Sequence, residues 1–163
     1  MVTRRAWLKG AAGLVLVRDA RAAGRIEKGV HRVRGEAHIN GVQAKRGMEV
    51  KAGDVVTTGT DGELVFVIAR DAMLVRADSR VEIAGNAGAL LETGLRIVTG
   101  AVLSVFEPGG RKRIRTPTAT IGIRGTGIYV ELRSDRTYVC TCYGVADLEA
   151  VDDPAARETV QTR

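Results

Sequence analysis

The sequence predicts an all-β protein: a compact antiparallel roll or sandwich, or a short β-solenoid, behind an N-terminal helical signal segment. Three observations predict it. From Ile26 onward, apolar and polar residues alternate with period two, β-branched residues dominate, and no convincing helical period occurs. Turn signals recur about every 8–12 residues. The chain holds 20 Gly but only 4% aromatics, which implies many tight turns around a core of Val, Ile, Leu and Ala.

The elements follow in order. Val30–Val33 and Glu36–Ile39 precede Asn40-Gly41, a strong hairpin signal. Val42–Ala44 leads to Gly47, and Asp54–Thr58 ends at Gly59. After the Asp61-Gly62 turn, Glu63–Ile68 is nearly all apolar, so both of its faces are expected to be covered. Met73–Arg76 and Arg80–Ile83 follow, then a loop at Gly85–Gly88. Leu95–Val98 and Ala101–Phe106 flank Thr99-Gly100. Pro108-Gly109-Gly110 turns into Ile114–Thr116. Thr118–Ile123 and Ile128–Leu132 stand as two strands either side of Gly125-Thr126-Gly127, and Arg136–Thr141 and Val145–Leu148 as two more. Asp152-Asp153-Pro154 reads as a loop before a last strand at Glu158–Gln161, which runs to the end of the sequence without punctuation, as a fragment of a longer protein would.

The 163 residues fit one domain, and the mix of 45% hydrophobic and 27% charged residues is that of a globular protein rather than a disordered one. The formal charge of +6 is concentrated at the start. The body is close to neutral, which argues against a nucleic-acid binder. Thr3-Arg4-Arg5-Ala6-Trp7-Leu8-Lys9 resembles a twin-arginine export signal. A short apolar run, Gly10–Val17, and a small-x-small pair, Ala20 and Ala22, complete a leader over residues 1–22, cleaved after Ala22. That run of about 8 residues is far short of the roughly 20 a membrane span needs. A retained amphipathic helix is the alternative. The expected setting is periplasmic, with residues 23–163 as the mature β domain.

The order of motifs resembles the FecR domain family. The matching residues begin at Val33-Arg34-Gly35-Glu36-Ala37 with Ile39-Asn40-Gly41 and continue through Gly47, Val50, Gly53-Asp54, Val56, Thr58-Gly59 and Gly62. They go on through Leu95 and Gly100-Ala101-Val102, then Thr116-Pro117, Ala119, Ile121 and Ile123-Arg124-Gly125-Thr126-Gly127-Ile128, and end at Thr137–Gly144. The resemblance covers about Gly29–Leu148 and implies a β domain outside the cytoplasmic membrane. Its best-known relatives are iron-uptake regulators that look like membrane-crossing relays with an anti-sigma segment inside. The sequence departs from that plan, with no cytoplasmic helical segment expected before the β domain and no spanning helix. What carries over is the domain and its location, not the signalling partners. Similar isolated domains stand beside cell-wall-binding modules, which implies an envelope role.

Several residues carry candidate chemistry. Gly53-Asp54 reads as a tight turn; a lone Asp is too few ligands for calcium. Alternation sets Ile121 and Ile123 on one side and Gly122 and Arg124 on the other, with the Gly125/Gly127 pair bulging the strand. Arg124 is expected inside the roll, tying carbonyls or a carboxylate such as Asp54; the alternative is that Arg124 and Thr126 meet an anionic group on a partner or glycan. Arg111-Lys112-Arg113, with Arg115, is expected as a solvated turn, or as a contact for anionic headgroups or acidic glycans. Cys140 and Cys142 share a strand face and are expected as two buried thiols; a strained or intermolecular disulfide and a metal or redox site are the alternatives. His31 and His38 read as surface strand residues. Nucleophile-elbow, P-loop and zinc-protease signatures are absent. The expectation is a non-enzymatic binding, sensing or scaffolding module without a cofactor, whose partner is an envelope protein or cell-wall glycan.

Overall fold

The computed structural model describes residues 27–85, 94–109 and 112–162. The leader, most of the Gly85–Gly88 loop, and Arg111 lie outside the described residues. The described residues form thirteen strands: β1 (Gly29–Arg34), β2 (Ala37–Ile39), β3 (Val42–Gln43), β4 (Val55–Thr58), β5 (Glu63–Ile68), β6 (Asp71–Val75), β7 (Arg80–Ala84), β8 (Gly94–Thr99), β9 (Ala101–Val105), β10 (Lys112–Arg115), β11 (Ala119–Leu132), β12 (Thr137–Ala150) and β13 (Arg157–Thr162). No helix of the described residues is long and apolar enough to cross a membrane.

All thirteen strands belong to one sheet, ordered β1-β5-β6-β9-β11-β10-β8-β7-β4-β2-β3, with β12 and β13 added beyond β11. The sheet turns at β11. One edge of that strand pairs β10 through its first half (Thr120–Ile123) and β9 through its second (Gly127–Glu131). The two half-sheets curl toward each other and share one core. Phe66, Met73, Val102 and Ile128 come from one inner face, and Val56, Ile97, Ile114 and Ile121 from the other. The loop after β3 closes the roll: the Val30 N–H donates to Met48 O at 2.8 Å, and Gly47 N–H to Val30 O at 2.8 Å.

Stacked coils would give parallel ladders throughout, whereas every ladder here is antiparallel except β8–β10. The expected antiparallel roll therefore holds, with one parallel pair inside it. That pair arises because the chain crosses from β9 in one half-sheet to β10 in the other before returning through β11.

The Asn40-Gly41 turn forms as the sequence predicts, with φ of 51° and 78°, the two positive values a type I′ hairpin requires. The two strands expected on either side of Gly125–Gly127 are one strand, β11, and the pair expected around Gly144 is also one, β12. Each carries one extra residue where the alternation breaks. Arg124 pairs Val145 and Gly127 pairs Tyr143, so Gly125 and Thr126 stand opposite Gly144 alone; Ile128 then pairs Thr141, leaving Cys142 without a partner across the ladder. The insertions offset each other in register. They also invert which side chains face the core. Ile121 and Ile123 point inward before the kink, Ile128 and Val130 after it.

Candidate functional surfaces

The kink is held by Thr126. Its side chain is buried, its Oγ1 accepts the Val145 N–H at 3.1 Å, and its hydroxyl faces the carbonyls of Val145 at 2.8 Å and Arg124 at 3.1 Å. The β9–β10 crossing lies over it: Phe106 N–H donates to Thr126 O at 3.0 Å, and a Cβ on Gly125 would stand 3.1 Å from Pro108. Thr126 therefore faces its own backbone, not solvent.

Arg124 projects from the outer face, its side chain 69% exposed, and pairs Asp147 of β12 rather than Asp54 inside the roll. The Arg124 Nη2–Asp147 Oδ2 distance is 2.5 Å and the Nε contact 3.0 Å. This corrects the buried role. Alternation turns Arg124 away from the core, and the adjacent strand supplies its carboxylate. A hydrogen bond from Thr159, then the Arg124 guanidinium, hold the Asp147 carboxyl below its ordinary range. Asp54 stays in its turn, accepting the Lys51 N–H at 2.7 Å and the Asn40 side-chain amide at 2.8 Å.

Beside this pair runs a polar groove of about 700 Å³, lined by Arg113, Arg115, Thr120, Asp147, Glu149 and Arg157 among others. Gly122 keeps its floor low. Arg157 pairs Glu149 at 3.4 Å, while Arg113 and Arg115 have no ion-pair partner among the described residues. Lys112 behaves differently from its neighbours. Its ammonium pairs with buried Asp71 and sits 5.5 Å from the Phe106 ring centroid, with the side chain only 12% exposed. For Lys112 the solvated-turn and headgroup readings are thus corrected. Alternation points Lys112 toward the crossing chain, where Asp71 also caps the Glu107 N–H at 2.9 Å.

On the other side of the kink the outer face changes character. A cross-strand row runs Cys140, Tyr129, Leu103, Leu74, Val65 over β12, β11, β9, β6 and β5, without a charged side chain until Arg32 on β1. The next row carries Tyr143, whose ring covers Gly127, and Val105, which are 46% and 41% exposed. Val65 is partly exposed, so β5 is not covered on both faces as its apolar run suggests. One rim is polar: Tyr129 donates to Glu131 at 3.0 Å, Arg133 to Glu131 at 3.1 Å, and Arg133 lies 4.7 Å from the Tyr138 ring centroid. Arg133 and then the Tyr129 hydroxyl keep the Glu131 carboxyl low.

Cys140 and Cys142 are exposed free thiols on this face, which corrects the expectation of burial. Val139 and Thr141 take the inward positions, leaving the cysteines outward. Loss of solvent, then the neighbouring Cys140, push the Cys142 thiol up. No group of three or more His, Cys, Asp or Glu converges among the described residues. His31 is exposed and contacts Glu27 O at 2.6 Å; His38 lies 3.8 Å from Glu36.

The apolar face was missed in the sequence because it is assembled from one residue per strand. The period-two pattern, followed through the ladder register, is the signal that could have found it.

No curated protein matches the chain. Among solved structures, the fold is similar to a crystal structure described as a candidate anti-sigma factor from Parabacteroides distasonis, with a TM-score of 0.57 and 10% identity. That match covers 66% of this chain and 50% of the other, so the chain spans about half that protein's length. The family profile described as FecR protein matches residues 54–146, from the turn before β4 to the buried Ala146 of β12, taking in both arms of the kink. With more than half of its length matched, the chain belongs to the FecR protein family.

Proposed function

We propose that this FecR-family roll is a non-enzymatic binding and sensing module of the bacterial cell envelope, which works in signal transduction by docking another protein on its apolar outer face. The observation that carries this reading is the uncharged row Cys140–Tyr129–Leu103–Leu74–Val65, continued by exposed Val105 and Tyr143. A continuous apolar surface rimmed by polar groups is the usual mark of a protein-protein contact, and Tyr is favoured there. Family membership supports a regulatory role, and the description of the structural neighbour fits it. The leader expected over residues 1–22 supports an exported, periplasmic setting. N-terminal sequencing of envelope protein tests that part: a chain beginning at Ala23 is expected, and Met1 retained in the cytoplasm overturns it.

The docking test is capture from envelope extract by the wild-type chain and by Leu74→Lys/Leu103→Lys. The wild type is expected to retain a protein that the variant loses at unchanged Tm. Equal retention by both overturns the reading.

A second reading is favoured by the polar groove. Arg113 and Arg115, without an ion-pair partner among the described residues, line it with guanidinium groups suited to an anionic glycan or lipid headgroup. Glycan binding that weakens with salt and with Arg113→Ala/Arg115→Ala is its expected signature; salt-independent binding opposes it.

A further inference from the structure

The sequence holds two cysteines and three tyrosines, and all five meet on one patch of the outer face. Tyr138 and Cys140 alternate outward along β12, and Tyr129 of β11 pairs Cys140. Tyr129 and Tyr138 meet edge to face, with ring centroids 6.3 Å apart. Thr141 turns inward and is buried. Strict alternation would then send Cys142 out and Tyr143 back to the core. The extra residue opposite Gly127 changes this: Cys142 has no partner across the ladder, and Cys142 and Tyr143 both point outward. Tyr138 and Tyr143, 41% and 46% exposed, therefore stand at either end of the two thiols.

Residues two apart on one strand face stand about 7 Å apart, at about 3.4 Å per residue. A disulfide needs Cβ atoms about 3.8 Å apart, so closing one here would buckle the strand. An ion shared by two sulfurs asks for a smaller approach. With metal–sulfur bonds of about 2.3 Å, sulfurs on opposite sides of one ion are about 4.6 Å apart. Two side chains leaning together across the strand spacing leave such a gap, and Cys140 is close enough to act on the Cys142 thiol. The ligand count selects the ion. No group of three or more His, Cys, Asp or Glu converges among the described residues, whereas zinc takes four ligands and calcium six or more oxygens. Glu131, the acid on the rim, is engaged by Tyr129 and Arg133. Two thiolates with an apolar, aromatic surround suit a soft monovalent cation.

We propose that Cys140 and Cys142 together form a two-thiolate site for copper(I) on the outer face of β12. Each thiol gives up its proton to solvent as its sulfur–copper bond forms, so one ion replaces two protons and no oxidation state changes. Both ligands come from one strand that the ladder with β11 already holds in place. The site is therefore present in the metal-free fold, and the ion joins no separate elements. It goes beyond the docking reading of this face and stands without it.

Anaerobic titration of the reduced full chain with copper(I), in competition with a chelator of that ion, tests the site. One copper(I) per chain is expected, with tyrosine emission quenched and sedimentation unchanged. Cys140→Ser and Cys142→Ser, both at exposed positions, are each expected to raise the copper(I) Kd by about a hundredfold or more, with the metal-free Tm unchanged. Excess zinc(II) is expected to leave the copper in place. A wild type that retains no copper(I) overturns the proposal. So does a single-serine variant that binds as tightly as wild type, copper held only between two chains, or displacement by zinc(II).

Discussion

Gly144 stands so close to Gly125 that a Cβ on Gly144 would lie 2.5 Å from the Gly125 carbonyl oxygen. Both residues have positive φ, 89° and 57°, and they are the points where the two long strands change phase together.

Gly144→Ala is therefore expected to destabilise the fold by about 3 kcal/mol, from backbone strain and collision together. Gly41 has φ of 78° but nothing within 4 Å of its Cβ direction, so Gly41→Ala should lose only about 1 kcal/mol. Urea unfolding of the two variants measures the difference; equal losses would mean that the close approach at the kink is not rigid.

Thr126 offers a separate handle on the same corner. Thr126→Val keeps the shape but strands the part-buried Val145 N–H, with an expected loss of about 1–3 kcal/mol. Thr126→Ser keeps the hydroxyl and should lose less. Thermal unfolding followed by circular dichroism ranks them.

Asp71 is buried and Lys112 largely so, and removing one partner leaves the other charge uncompensated. Lys112→Met is expected to lose about 3–5 kcal/mol, most of it recovered in Asp71→Asn/Lys112→Met. A double variant no more stable than the single one would show that Asp71 acts through the Glu107 N–H instead.

Asp147 has its carboxyl held low by Thr159 and Arg124, so its folded pKa lies below its unfolded one. The stability it adds is present above about pH 4, the unfolded value, and fades as pH falls through the lower folded value. Asp147→Asn should lower stability at neutral pH and flatten the acid limb below about pH 4. Urea midpoints at pH 7 and pH 3 test the sign: the gap between wild type and variant must narrow at pH 3.

Local chemistry made most of the roll legible in the sequence. Asn40-Gly41 needed no tertiary contact to declare a hairpin, and the inward-facing Ile121 and Ile123 followed from alternation alone. The continuity of β11 and β12 was hidden because a broken alternation looks the same whether a strand ends or bulges. The carboxylate for Arg124 lies 23 residues away and is brought alongside only by the ladder. The thiols were misplaced because residue type outweighed position: cysteine is usually buried, yet Val139 and Thr141 held the inward sites.

The paired insertions in β11 and β12 act like a half-step twist in a ribbon. Charges decorate the exterior on one side of the twist and oily groups on the other, although the same two strands supply both. Each exterior can accumulate substitutions without altering the other, since no outward position is shared.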